Sequence, residues 1–176
     1  MHHSLTRHFL LLAVLAVTIC EQTQVNAAKI DTSHWRTVTI PECGIRLRLP
    51  KRYSEIQGEV KVGDYVGRSF IAGMFTIEIE VRASLQPQLA DNKIIRQNDY
   101  QDYAESTETI GGRRAIVQSY RGGGVILNGG EQSVSYYAGA IWQLRPGKIL
   151  SIGGHVDSRE SQAEILAVVH SVEFLR

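Results

Sequence analysis

The sequence predicts an α+β fold, an antiparallel β-sheet of about six to seven strands with helices packed on it. Three observations predict this fold. Several stretches alternate apolar and polar residues, which is typical of strands that bury one face. Short turns rich in glycine and proline join most of these stretches, and short connections favour antiparallel pairing. Two other stretches have the periodicity of helices.

The first 27 residues precede this fold and are predicted to form a signal peptide. Twelve uncharged residues run from Phe9 to Cys20, too few for a bilayer span of about 20 but the length of a signal-peptide core. Val25 and Ala27 occupy the positions that signal peptidase reads, so we expect cleavage after Ala27. The alternatives are an uncleaved anchor and lipidation at Cys20, although Ile19 is larger than the residue a lipoprotein box carries before its cysteine.

Cleavage would leave a flexible segment over residues 28–34 and a single α+β domain over residues 35–176. We therefore expect an exported protein, periplasmic or secreted, with no integral membrane span after cleavage. Cys43 would be its only cysteine, which excludes an internal disulfide. We favour an inert, half-buried thiol over a reactive one or an intermolecular disulfide. The formal net charge of +1 argues against nucleic acid as a partner.

The first half of the mature chain predicts two hairpins. Residues 35–40 are rich in β-branched side chains, and residues 45–49 alternate Ile or Leu with Arg up to Pro50, which ends the strand. Further strands are expected over residues 65–72 and 75–81. Residues 51–61 have no clear pattern.

The middle of the chain is predicted to contain a helix over residues 93–105, with Ile95 and Tyr103 on its buried side. A strand follows over residues 114–120. Two glycine clusters then bracket residues 125–127, which are expected to form a loop or a short hairpin tip.

The last third predicts a hairpin and a helix. Strands over residues 133–144 and 149–153 are joined by an Arg-Pro-Gly-Lys turn, a type II signature. Asp157 is predicted to cap the following helix, with Glu160 completing a capping box. A short strand over residues 172–175 ends the chain.

Four of these segments, in this order, resemble the PsbP-like superfamily. They are GIRLRLP at residues 44–50, TETIGGRRA at residues 107–115, the tyrosine-rich hairpin of residues 135–151 and HSVEF at residues 170–174. The resemblance covers most of residues 35–176 and implies an α/β/α sandwich around an antiparallel sheet. It implies no catalytic residues, because the family has no shared active site, and it favours a role in binding other proteins.

No catalytic, cofactor or metal-binding motif is present, so we expect no cofactor, no metal site and no enzymatic activity. His155 is the candidate if the chain is an enzyme, together with Asp157, because it follows two glycines between a strand and a helix. Glu78 and Glu80 share one face of a strand. They are either a carboxylate pair or an ordinary polar face, opposite Arg46 and Arg48 in a charge ladder.

We therefore expect an exported, non-enzymatic binding or assembly module, a monomer or weak oligomer, that acts on a protein partner in the cell envelope. The candidate partner-binding residues are Arg46, Arg48, Arg121, Gly123, Tyr136 and Tyr137. Arg46 and Arg48 form a basic patch with Lys51 and Arg52, which either binds an anionic partner or is a solvated sheet face neutralised by nearby glutamates. The alternatives are a carrier with an apolar cavity lined by Tyr103, Trp142 and Phe75, and a small enzyme with a site near His155.

Overall fold

The computed structural model describes residues 30–62, 65–83, 100–122 and 134–176, and the side chains of residues 57–62 lie outside that description. The predicted signal peptide, residues 93–99 and Gly123 lie outside the described residues. In chain order the strands are β1 (Arg36–Ile40), β2 (Ile45–Leu49), β3 (Ser54–Val62), β4 (Tyr65–Ala72), β5 (Phe75–Ala83), β6 (Gln101–Ile110), β7 (Arg113–Gly122), β8 (Ser135–Arg145), β9 (Lys148–Val156) and β10 (Glu173–Phe174). A 3-10 turn over Pro41–Cys43 and helix α1 (Arg159–His170) complete the described elements.

The strands form two antiparallel sheets, which confirms the predicted α+β class. The large sheet has seven strands in the order β3-β4-β5-β9-β8-β7-β6, and the small sheet has the order β1-β2-β10. The hairpins β1–β2, β4–β5 and β8–β9 were predicted. Gly147 has a φ of 74°, as the third position of a type II turn requires.

The core lies between one face of the large sheet and the layer formed by α1 and the small sheet. On the small sheet, Ile45 and Leu47 are fully buried and alternate with exposed arginines. On the large sheet, Ile79, Ile152 and Trp142 face the same core. Cys43 is buried there too and forms no disulfide. The side chains that alternate with these on the large sheet point the other way, and we call that side, which is turned away from α1 and the small sheet, the open face.

Two predictions about strands were wrong. The helix predicted over residues 93–105 cannot extend through residues 101–105, which belong to β6. β6 is the outer strand of the large sheet and is mostly exposed on both faces, so its sequence lacks the alternation that marks a half-buried strand. For residues 51–61 no strand was predicted, yet Ser54 begins β3, the other outer strand.

The predicted cap of α1 was also wrong, by one residue. β9 continues through Val156, further than predicted, so the chain turns into the helix later. The cap is Ser158, whose hydroxyl accepts a hydrogen bond from the Ser161 amide at 3.2 Å. His155 consequently lies within a strand and not after its end.

Three side chains of α1 tie the helix to the strands of the large sheet. Gln162, only 4% exposed, donates its amide hydrogens to the backbone oxygens of Tyr120 at 3.2 Å and Tyr137 at 2.7 Å. The guanidinium of Arg159 lies 2.7 Å from the Asp102 carboxylate, and Nε2 of His170 lies 2.7 Å from Glu108. Of these partners, Tyr120 lies on β7 and Tyr137 on β8, whereas Asp102 and Glu108 lie on β6. The helix therefore holds these three strands in one fixed arrangement.

We expect Gln162→Leu to lower the free energy of unfolding by about 2 kcal/mol, because it removes two buried hydrogen bonds without leaving a large cavity. Urea denaturation measures this change. Gln143→Leu is the matched control, since Gln143 is exposed and its amide makes only a long hydrogen bond, 3.5 Å, to the Arg145 oxygen. Equal stability of the two variants would show that the Gln162 amide does not hold the helix.

Candidate binding surface

A row of aromatic side chains crosses four neighbouring strands on the open face. We call it the aromatic row, and its members are Tyr100, Tyr103, Tyr120, Tyr137 and His155. Ring centroids are 4.2 Å apart for Tyr100 and Tyr120, 4.8 Å for Tyr120 and Tyr137, and 5.0 Å for Tyr137 and His155. Strand register explains these contacts, because Tyr137 lies directly opposite both Tyr120 and His155.

A β-bulge brings the two tyrosines near the start of β6 to the same ring. Gln101 pairs with Arg121 and Ala104 with Ser119, so β6 has one residue more than β7 between these pairs. The bulge contains Asp102, which has a φ of 53°, and Asp tolerates this left-handed conformation better than most residues. Tyr100 and Tyr103, three positions apart, would point to opposite faces of a regular strand, but here both stack on Tyr120.

Two glycines make room for the ring of Tyr137. Gly139 and Gly153 lie opposite each other on β8 and β9. A Cβ at either position would lie 2.5 Å from the Tyr137 hydroxyl oxygen, closer than any real contact. The absence of these two side chains therefore lets the ring lie along the sheet surface, an arrangement in which an aromatic ring covers strand glycines.

Hydrogen bonds fix the polar edge of the row at β6. The Tyr103 hydroxyl donates to Glu105 at 2.7 Å, and the side-chain amide of Gln118 donates to Glu105 at 3.0 Å and to the Tyr103 oxygen at 3.3 Å. Gln118 is only 6% exposed although it lies on the open face. Because each of these polar groups has a partner, the row is fixed in position before any ligand arrives.

At the other end of the row, His155 lies beside a carboxylate. His155 is exposed, but one side of its ring packs on Tyr137, and this partial burial lowers its pKa below the ordinary value of 6.5. The charge of Glu78, on the neighbouring strand β5, partly offsets that effect. The ring is therefore neutral at pH 7. Glu80 on the same face pairs with Arg82 at 3.1 Å. Asp157 lies beyond the end of β9 and is exposed.

The predicted partner-binding residues do not form one surface. Tyr137 belongs to the aromatic row, whereas Tyr136 points to the other side and packs against the core. Arg121 lies opposite Tyr136 in the register and shares its side of the sheet. Arg46 and Arg48 lie on the outer face of the small sheet, across the core from the aromatic row.

Two further expectations were wrong. The apolar cavity lined by Tyr103, Trp142 and Phe75 does not form, because Trp142 is fully buried in the core while Tyr103 lies on the open face. The charge ladder does not form either. Glu78 and Glu80 lie in the large sheet, and Arg46 in the small sheet pairs with Glu173 instead, at 2.5 Å.

Sequence reasoning missed most of the aromatic row. Tyr120 was placed in a strand and Tyr137 in the next, but Tyr103 was assigned to a helix, which separated it from both. The bulge at Asp102 leaves no clear mark in the sequence. The pairing of Gly139 with Gly153 also depends on a strand register that the sequence does not specify.

The described part of the chain contains neither a cluster of metal ligands nor a membrane-spanning helix. No group of three or more His, Cys, Asp or Glu side chains in residues 30–62, 65–83, 100–122 and 134–176 is placed to hold a metal ion. In the same ranges no helix is long and apolar enough to cross a membrane.

Comparison with known proteins shows no family. No protein-family model matches the chain, and no curated protein does. A solved structure from Bacteroides thetaiotaomicron VPI-5482 has a TM-score of 0.47 and 11% identity, over 81% of this chain and 49% of that one. LpqN of Mycobacterium tuberculosis, involved in cell envelope biogenesis, has a TM-score of 0.45 and 11% identity, over 75% and 83% of the two chains. The chain thus spans about half the length of the first protein. Likeness this low establishes no shared function, and membership of the PsbP-like superfamily stays a prediction.

We expect Glu78→Gln to lower the pKa of His155 further, because it removes the negative charge that favours the protonated ring. An NMR titration of the His155 ring measures this directly. In the unaltered chain the pKa of His155 should already lie below 6.5.

The His155 ring consequently binds a proton more readily in the unfolded chain than in the folded chain. The free energy of unfolding should therefore decrease as the pH falls below 6.5.

Glu80→Gln serves as the control for this titration, since Glu80 pairs with Arg82 and does not shift the pKa of His155. It should leave the titration of His155 unchanged. If the pKa of His155 is unaltered in Glu78→Gln, or falls equally in both variants, the Glu78 carboxylate does not raise the pKa of His155 as described.

Proposed function

We propose that the chain is an exported, non-enzymatic binding module that acts on a protein partner in the cell envelope, and that the aromatic row is its binding surface. The observation that carries the proposal is the row itself, five rings in contact on the sheet face that the core does not use. The cellular location in the proposal rests on the predicted export signal.

Aromatic side chains suit a protein partner. Tyrosine is enriched at protein interfaces because it combines a large apolar ring with a hydroxyl that forms hydrogen bonds. Tyr103, Tyr120 and Tyr137 are partly exposed, and His155 is exposed. The bulge, the two glycines and Gln118 hold these rings in place, so binding would cost little ordering of side chains.

The charges near the row argue against an anionic ligand on this face. Glu78 and Glu105 lie beside it, and the neutral His155 adds no positive charge. A phosphate backbone or an anionic lipid surface requires clustered cations. A neutral or mildly basic protein surface fits this face better.

A small enzyme is the second candidate, and one observation favours it. Glu78 and His155 lie close enough for the carboxylate to influence the ring, and a neutral imidazole next to a carboxylate is a common general base. An enzyme of this kind would lose its activity in Glu78→Gln, whereas a binding module would still capture its partner, with an affinity lowered only by the loss of one charge beside the row.

Site-specific photo-cross-linking in cells that make the full chain tests the proposal. Thr107 and Thr39 are matched positions, since both are exposed threonines in strands, the first on the open face and the second on the outer face of the small sheet. We expect a photoreactive residue at position 107 to capture a discrete protein partner, and the same residue at position 39 to capture none.

A substitution beneath the Tyr137 ring adds a second readout. In Gly153→Ala the new Cβ would lie 2.5 Å from the Tyr137 hydroxyl oxygen and 3.1 Å from the nearest backbone atom, the Ala138 oxygen. The substitution therefore displaces the Tyr137 ring. We expect it to reduce cross-linking from position 107 severalfold. Gly122→Ala, where the new Cβ would make ordinary contacts at 3.5 Å, should not. Equal capture from both threonine positions, or full capture by the Gly153 variant, would reject this surface.

A further inference from the structure

The outer edge of β6 has no strand partner within the described part of the chain. β6 is the last strand of the large sheet and pairs there only with β7. After the bulge at Asp102, residues 104–110 pair with residues 113–119 in an unbroken register of seven residues. A regular strand edge of this kind can accept a further strand through its backbone hydrogen bonds.

The turn after β6 determines which backbone groups point to this edge. Its two glycines have φ values of 59° and 78°, as a two-residue hairpin turn requires, so Ile110 exchanges hydrogen bonds with Arg113. Hydrogen-bonded and non-hydrogen-bonded pairs alternate along an antiparallel ladder. The amide and carbonyl groups of Thr109, Thr107 and Glu105 therefore point away from β7, to the outer edge, while their side chains lie on the open face.

β6 lacks the features with which outer strands usually prevent pairing. Such strands contain lysine or proline, or a bulge interrupts their edge. β6 contains neither lysine nor proline, and its bulge lies before the regular run. Two of its carboxylates are held within the chain, since Asp102 pairs with Arg159 and Glu108 with His170. β3, the other outer strand, differs, because two irregularities interrupt its register.

The regular run of β6 is self-complementary about its midpoint, Thr107. When two copies pair antiparallel about a two-fold axis at this residue, Thr107 meets its counterpart, and Glu105 lies opposite Thr109 of the second copy. On the other face of the sheet, Ser106 lies opposite Glu108 of the second copy. Within the run no like charges lie opposite each other. An axis at Glu105 or at Glu108 would instead place two carboxylates opposite each other, which is destabilising.

We propose that two copies of the chain pair through β6 about Thr107, which joins their large sheets into one continuous sheet. Only one strand of each copy takes part, so the dimer is weak, since stable interfaces bury far more surface than two strand edges do. The axis is perpendicular to the sheet, so the aromatic rows of both copies lie on the same side and stay exposed. The pairing does not depend on the proposed partner of the aromatic row.

Sedimentation equilibrium of the protein, purified from cells that make the full chain, tests the proposal. We expect a monomer at micromolar concentration and a reversible dimer as the concentration approaches millimolar. Thr107→Lys and Thr107→Glu should each weaken the dimer about fivefold, because the axis places the new charge opposite its own copy. A mixture of these two variants should dimerise at least as well as the unaltered chain, since opposite charges then meet.

Thr39→Lys is the matched control, because Thr39 is also an exposed threonine in a strand but lies on the small sheet. It should leave the association unchanged. The proposal is overturned if the unaltered chain stays a monomer up to millimolar concentration, or if Thr39→Lys weakens the dimer as much as Thr107→Lys does. It is also overturned if the mixture of the two Thr107 variants associates no better than either variant alone.

The same pairing can be separated from the proposed binding of a partner by the aromatic row. In the cross-linking experiment, a second copy captured from position 107 would give an adduct with the mass of two chains. An adduct with a different protein would have another mass. Dimerisation and partner capture can therefore fail independently of each other.

Discussion

The burial of one face of the large sheet is the constraint on which the rest of the structure depends. Fully buried side chains such as Ile79, Ile152 and Trp142 turn to that face and meet α1 and the small sheet. Since side chains alternate along a strand, the same pattern commits the intervening residues to the open face. The aromatic row and Arg48 consequently lie on opposite sides of one core.

Helix α1 connects these two sides. Near its start, Gln162 binds the backbone oxygens of Tyr120 and Tyr137, the two residues whose rings stack at the centre of the row. After its end, the Ser171 hydroxyl accepts a hydrogen bond from the Arg48 amide on the small sheet. A buried amide costs free energy unless it is hydrogen-bonded, so Gln162 also selects the one position of the helix in which both its bonds form.

The fold was largely predictable from the sequence, and the site was not. Strong alternation, as in residues 45–49, identifies strands that bury one face, whereas the outer strand β6 has no such signal and was partly taken for a helix. Tyr137 was chosen from the sequence because tyrosines favour interfaces, and His155 because it follows two glycines. That these two residues and Tyr120 are neighbours could not be predicted, since it depends on the strand register and therefore on long-range pairing.

Hydroxyl-radical footprinting of the full chain tests the central claim, that the aromatic row is a binding surface, most directly. Met74 is 83% exposed and lies in the turn between β4 and β5, so it reports the radical dose in each sample. With oxidation normalised to Met74, we predict that Tyr103, Tyr137 and His155 are oxidised severalfold less in intact cell envelopes than in the purified chain. Equal oxidation of these rings in both samples would contradict the account.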